Sequence, residues 1–350
     1  MIPRNMARFL WLMISFLCCS TFLQGEEAPS FTIRVAVLRD IPKLDQALAL
    51  LCKHEYRGMV RVVQIKEGSY VAVNTLGIED YLLDVVVCEM DPHGPLEALK
   101  AQAIAARSHA LYQASISHEQ PYDLVANISQ AYFGKSALSK NVVLAIEATR
   151  GQYLTYENKL IPTYFHASCG GHTESVKNVW PSKQSTETSS DLKLPGAVPC
   201  PYCAESKENQ WSWKVSALAL QRALKHAGYK IDGLSSVSVA ERAPSSHVLT
   251  VLVSHQKNDL LIPAEKFRSL LGYSKLKSTL FDIQHVTQDD RGTDDFVFKG
   301  DGWGHGVGLC QFGAQEMAEN GASCGHILSY YFPNSLIQSY LSNTSAISMR

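Results

Sequence analysis

Apolar and polar positions alternate over residues 31–38 (FTIRVAVL), the period of a strand with one buried face, and residues 59–65 and 70–73 read as further strands. The chain therefore opens as sheet. Over 78–87 (IEDYLLDVVV) the apolar spacing turns helical, and Asp91-Pro92-His93-Gly94-Pro95 breaks it. Pro95 suits the first position of a second helix and Glu97 suits the positive end of its dipole. The alanine-rich run that follows reaches about Ile116 with no internal breaker. Further on, a helix over 217–226, strand-like runs at 236–240 and 248–254, and a short helix at 263–271 read as a compact α/β unit.

The helix after Pro95 has no plainly polar face. At about 100° per residue, Lys100 and Arg107 share a stripe with Leu96, Ala103, Ile104 and Leu111, while Ala98, Ala101 and Ala105 lie opposite. A helix apolar nearly all round is buried, and a buried cation needs an anionic partner. Either Lys100 and Arg107 have fixed partners, Glu89 being one candidate, or both snorkel from a half-exposed helix. Glu89 sits in VVVCEM, where apolar surroundings favour the neutral acid that can protonate a glycosidic oxygen. The plainer alternative for Glu89 is a turn cap or a pair with Lys100.

At the N-terminus, Arg4 and Arg8 precede an uncharged run over 9–23 that ends in Gln24, Gly25, Glu26 and Glu27. The run falls short of the roughly 18–20 apolar residues of a comfortable bilayer span, so it reads as a secretory signal occupying 1–25. The chain is expected to be exported, to the periplasm or cell envelope. Lipid attachment at Cys18 or Cys19 is the minor alternative. The net charge of -1, without basic clusters, argues against a nucleic acid partner. Nothing in the pattern fixes an oligomeric state.

Seven of the nine cysteines lie beyond that segment, an odd number that forbids complete internal pairing. Export favours disulfides, yet Cys200-Pro-Tyr-Cys203 with His166-Ala-Ser-Cys169 has the paired spacing of a tetrahedral zinc site, with His172 as alternative ligand. Four protein ligands would make such a zinc structural, so catalysis requires no cofactor on this reading. Disulfides remain the competing assignment.

From Gly300 to Gly308 every even position is glycine, which in an extended strand leaves one face bare for a backbone or ligand to approach. Trp303 could then stack on a sugar and His305 hydrogen-bond it, with Gly304 and Gly306 providing the close approach. A packed His305 is the alternative. No phosphate-loop spacing results. Cys310 beside His305 raises a Cys–His nucleophile, but a small buried cysteine explains it equally.

Residues 88–111 (CEMDPHGPLEALKAQAIAARSHAL) closely resemble the signature of the SpoIID/LytB family of sporulation and cell-wall proteins. Residues 300–321 (GDGWGHGVGLCQFGAQEMAENG), continuing to 327–334 (ILSYYFPN), look like that family's C-terminal block, and weaker matches at 122–134, 166–180 and 267–283 keep its order. Because the two signatures flank the α/β unit, the expectation is an α+β, two-lobed chain. Residues 26–205 and 285–350 would form a catalytic lobe around a long buried helix, and 206–284 an inserted α/β lobe.

The resemblance implies a lytic transglycosylase that cleaves peptidoglycan between N-acetylmuramic acid and N-acetylglucosamine and leaves a 1,6-anhydro end. Glu89 corresponds to the family's essential glutamate, and Lys100, Arg107 and Ser108 match motif positions, the first two assigned to positioning substrate or tuning Glu89 and Ser108 to substrate contact. The implied substrate is glycan already stripped of stem peptides by an amidase, which becomes the expected functional partner. The family also contains amidase enhancers, so a non-catalytic glycan binder is the second hypothesis, and a zinc-dependent wall hydrolase, lacking HExxH, the third. Asp91 and Gly94-Pro95 depart from the family's usual Glu-Met-Pro and Trp-Pro, which alters the loop beside Glu89.

Overall fold

The computed structural model describes residues 31–117, 119–127, 130–181, 197–256, 258–287 and 294–341, and the expected signal segment 1–25 lies outside them. The first lobe begins with β1 (Thr32–Ile41), α1 (Leu44–Leu51), β2 (Met59–Lys66) and β3 (Ser69–Gly77). β3 pairs antiparallel with both β2 and β1 (Ile33 opposite Leu76, Val35 opposite Asn74), and β4 (Leu124–Val125) adds in parallel to β1. Alternation on β1 turns Ile33 and Val35 into the core, as the two-residue period predicts.

α2 (Ile78–Glu89) follows β3 without a loop and stops at Glu89, because Met90 is extended and Pro92 cannot continue a helix. α3 (Leu96–Ile116) then runs through the centre of the lobe. Its alanines carry no bulk, which lets α2, α4 (Lys140–Ala148) and β5 (Gln152–Tyr156) pack against it on several sides. β5 is the middle strand of a small sheet with β6 (Lys159–Leu160) and the C-terminal β15 (Leu336–Ser339). β7 (Phe165–His166), followed by the short α5 (Val176–Val179), pairs in parallel with β14 (Leu309–Cys310), so chain from both sides of the insertion meets in one core.

The second lobe runs from β8 (Trp211–Ser216) through α6 (Ala217–His226), β9 (Leu234–Arg242), β10 (Val248–His255), β11 (Asp259–Pro263), α7 (Ala264–Leu271) and β12 (Phe281–Val286) to β13 (Asp295–Gly300). Two three-stranded sheets, β11-β10-β9 and β12-β13-β8, enclose a separate core that includes Leu220, Val251, Phe267, Phe296 and Phe298. That core corrects the expected boundary at 284. Phe296 and Phe298 both point into it, so the second lobe extends to Gly300.

The glycine block is not a bare-faced strand. Gly302, Gly304, Gly306 and Gly308 all take positive φ, between 76° and 126°, and the segment threads against residues 164–170. A Cβ on Gly304 would lie 2.5 Å from His166 Cβ, and one on Gly308 2.1 Å from the Tyr164 carbonyl oxygen. The close approach that these glycines permit is therefore made by the chain's own residues. No helix among the described residues is long and apolar enough to cross a membrane.

Candidate active site

Glu89 is the last residue of α2, and its carboxylate is held from two other segments. Oε1 accepts the backbone N–H of Ala131 at 2.5 Å, and Oε2 accepts Nε2 of Gln311, the first residue of α8 (Gln311–Glu319), at 3.2 Å. The Ala131 loop is itself fixed, since Gln130 Nε2 donates to the Ala106 carbonyl on α3 at 3.0 Å and Asn127 Oδ1 accepts the Tyr132 N–H at 3.0 Å. Burial pushes the Glu89 carboxyl above the usual range, and the Ala131 and Gln311 donors, which favour the charged form, offset only part of that. The group is thus a half-buried acid with two donors waiting for its anion.

Gln311 also lies 3.5 Å from Oε1 of Gln102, a fully buried residue of α3 whose own Nε2 has no partner among the described residues. Sequence reasoning missed both glutamines. Gln311 directly follows the glycine block, and Gln102 is the polar residue of an alanine run, which were the available signals.

Lys100 and Arg107 do not meet Glu89 in this structure. Lys100 Nζ pairs with Glu97 Oε1 at 2.6 Å, one turn earlier on the half-exposed side of α3, and Glu97 Oε2 in turn accepts the Cys324 N–H that starts α9 (Cys324–Tyr331). Arg107 has no exposure and donates from Nη2 and Nε to Glu79 at 2.6 and 3.0 Å, and from Nη1 to the Gln152 carbonyl at 2.9 Å. Glu79 stands at the opposite end of α2, ten residues or about 15 Å along the axis from Glu89. Arg107 thus has a fixed anionic partner, and that partner is Glu79 rather than the candidate Glu89. Its guanidinium joins α2, α3 and β5.

Ser108 is buried as well: its hydroxyl donates to the Ile104 carbonyl at 2.6 Å and accepts the Leu154 N–H at 2.8 Å, so it is a brace between α3 and β5 rather than a substrate contact. His305 packs edge-on to Tyr164 and tilted against Trp180, with Nδ1 accepting the Val307 N–H at 3.0 Å, which is the packed alternative. Gly304 and Gly306 lie against His166 and His247, so the close approach they allow is to the chain's own side chains. Trp303 differs. It is 39% exposed, with Lys277 Nζ 4.8 Å from its ring centroid.

The cysteine reading is corrected at one position. The sulfurs of Cys169, Cys200, Cys203 and Cys310 all lie within 4.8 Å of one another, and His166 is not among them. Its Nδ1 faces the Val307 carbonyl at 3.1 Å, while His172 Nδ1 sits 2.7 Å from the Thr173 carbonyl. Cys310, weighed earlier only as a nucleophile or a filler, takes the fourth place. Sequence distance concealed it, since it stands more than a hundred residues from the C-x-x-C pair.

Residues 66–156 match the family described as Stage II sporulation protein (SpoIID), and residues 202–308, which include the whole second lobe and the glycine block, match a domain of unknown function (DUF8618). An uncharacterised protein of Brachyspira hyodysenteriae (strain ATCC 49526 / WA1) is 33% identical over 282 residues, covering 79% of this chain and 71% of the relative. Stage II sporulation protein D of Bacillus subtilis (strain 168) is 28% identical over 283 residues, with 76% of each chain covered. The amidase enhancer of the same organism is 27% identical over 297 residues, which are 74% of this chain and 40% of that longer protein. With both signatures folded into one core around Glu89, the chain belongs to the SpoIID/LytB family.

Proposed function

We propose that this chain acts on the bacterial cell wall and that it is a lytic transglycosylase, cleaving peptide-stripped glycan strands of peptidoglycan with Glu89 as its single acid and base. The observation that carries this reading is the carboxyl of Glu89, raised by burial and faced by two hydrogen-bond donors. The neutral acid gives its proton to the oxygen linking N-acetylmuramic acid to N-acetylglucosamine, and the bond from the muramic C1 to that oxygen breaks. The Ala131 N–H and the Gln311 amide then stabilise the carboxylate left behind. That carboxylate takes the proton of the muramic C6 hydroxyl as its oxygen bonds to C1, which closes the 1,6-anhydro ring and restores the acid. Neither water nor a second carboxylate enters, in contrast to hydrolysis by paired carboxylates. Trp303, exposed beside Lys277, offers a ring face on which a sugar can stack.

A cell-wall amidase that removes stem peptides is the expected partner upstream, and the cell envelope is the expected place of work. The relative named an amidase enhancer supports a second reading, in which the chain binds glycan without cutting it. Digestion of peptide-free glycan by wild type and Glu89→Gln separates the two. The transglycosylase predicts cleavage by wild type only, with glycan binding retained in the variant. Binding without cleavage by wild type favours the enhancer, and equal cleavage by both proteins removes Glu89 from the chemistry.

A further inference from the structure

Four cysteine side chains converge from three distant stretches of chain. Cys169 follows β7, Cys200 caps the start of the short 3-10 turn Pro201–Cys203 that Cys203 ends, and Cys310 ends β14 as the N-cap of α8. All four are at most 1% exposed. We infer that Cys169, Cys200, Cys203 and Cys310 bind one zinc ion through four thiolates, and that this ion fixes the start of α8.

Geometry argues for one ion rather than two disulfides. A zinc–sulfur bond of about 2.3 Å in a tetrahedron sets the sulfurs roughly 3.8 Å apart. Here Cys169 Sγ and Cys203 Sγ are 3.5 Å apart, and every pair is within 4.8 Å. Two disulfides would draw each sulfur to a single partner at about 2.05 Å and turn it from the other two, whereas here each has three sulfur neighbours. The span suits a single ion, and soft thiolates in a closed tetrahedron select zinc over hard cations such as calcium or magnesium.

The surroundings are those of a negatively charged centre. Cys310 Sγ accepts the backbone N–H groups of Cys169 and Gly313, each at 3.4 Å, and Tyr331 Oη lies 3.1 Å from Cys200 Sγ. Donors of this kind orient thiolate ligands and offset their excess charge. There is no room to relax at Gly313, where a Cβ would come 2.7 Å from Cys200 Sγ and 2.0 Å from Tyr331 Oη. Four protein ligands leave no position for a reactive water, so the ion is structural.

Its place in the fold gives it a second consequence, which rests on the role proposed for Glu89. Gln311 is covalently next to Cys310 and donates to Glu89 Oε2. The ion would hold Gln311 against the acid without touching substrate, as a positioning device.

The test begins with metal analysis of the full-length chain purified without added metal, where one zinc per chain is expected. Cys203→Ser and Cys310→Ser should each lower that content at least several-fold, while Cys52→Ser, at an exposed site away from the cluster, should not. Because either cluster variant could fail to fold, wild type is also denatured with an alkylating reagent before and after reduction. A zinc site leaves all four cysteines open to alkylation without reduction. Cysteines that react only after reduction, or a metal content near zero, would overturn the site, and stoichiometric iron would overturn zinc as its occupant. Removing the ion with a chelator should lower the Tm, and readdition of zinc alone should restore it. Loss of glycan cleavage in parallel supports the positioning role, and unchanged cleavage by the metal-free chain refutes it. If wild type cleaves nothing, the proposed function fails, while the metal content and Tm still decide the site.

Discussion

Arg107→Met removes a fully buried charge from the first lobe and keeps most of the side-chain length. It deletes two hydrogen bonds to Glu79 and one to the Gln152 carbonyl, and leaves the Glu79 carboxylate with the Gly151 N–H at 3.1 Å and the Tyr340 hydroxyl at 2.7 Å. Breaking a buried pair by removing one partner costs about 3–5 kcal/mol, a large fraction of the roughly 5–15 kcal/mol that holds a domain folded. The loss should depend on pH. Burial alone would raise the Glu79 carboxyl, but Arg107, Tyr340 and Gly151 more than offset it and hold the group below its ordinary value of 4.5. A depressed carboxyl contributes stability that is present above the unfolded value and lost as pH falls through the folded one. The gap between wild type and Arg107→Met should therefore be widest near neutral pH and narrow below about pH 4.5. Urea unfolding followed by circular dichroism at several pH values measures it, alongside glycan cleavage per folded molecule in the cold, where the variant should keep activity. An Arg107→Met protein of wild-type stability that has lost cleavage would refute the structural role and return Arg107 to the chemistry.

Two further outcomes follow from the same geometry. Ser108→Ala leaves the buried Leu154 N–H without its acceptor and should cost about 1–3 kcal/mol in urea unfolding, with cleavage per folded molecule unchanged. Gln311→Leu removes a donor that favours the charged form of Glu89, so the alkaline limb of the pH–rate profile should move to higher pH; a limb that stays in place would mean that Gln311 does not touch the acid during turnover.

Much of the fold was legible because its pattern is local. The helix over 217–226 and the strands beginning at 59 and 248 need only a few residues' periodicity, and the alanine run with a proline at its head specifies α3. β13 escaped because the polar stretch before it obscures the Phe296 and Phe298 alternation, which becomes meaningful only against β8 and β12. The glycine block misled for another reason. Strict alternation is the period of a strand, but a positive φ at every second residue from Gly302 to Gly308, visible only in the backbone, lays the segment against residues 164–170.

At the site, the apolar neighbours of Glu89 and the turn beside it left a cap or a pair with Lys100 open, and the resemblance of residues 88–111 to the SpoIID/LytB signature singled Glu89 out. Its partners were not legible, since Ala131 contributes a backbone N–H and Gln311 stands more than two hundred residues away. The same separation led to Glu89 being considered for cations that belong to Glu79 and Glu97. Spacing finds pairs within one helix, such as Lys100 with Glu97, whereas a buried arginine finds its carboxylate across the fold.

In the proposed reaction one carboxyl group completes the cleavage with the substrate's own hydroxyl as nucleophile. Digesting peptide-free glycan with wild type in ¹⁸O-enriched water and weighing the new muramic ends tests that directly. Ends of anhydro mass that carry no label are expected, because no water oxygen enters the product. New reducing ends bearing one ¹⁸O would contradict it and make the chain a hydrolase.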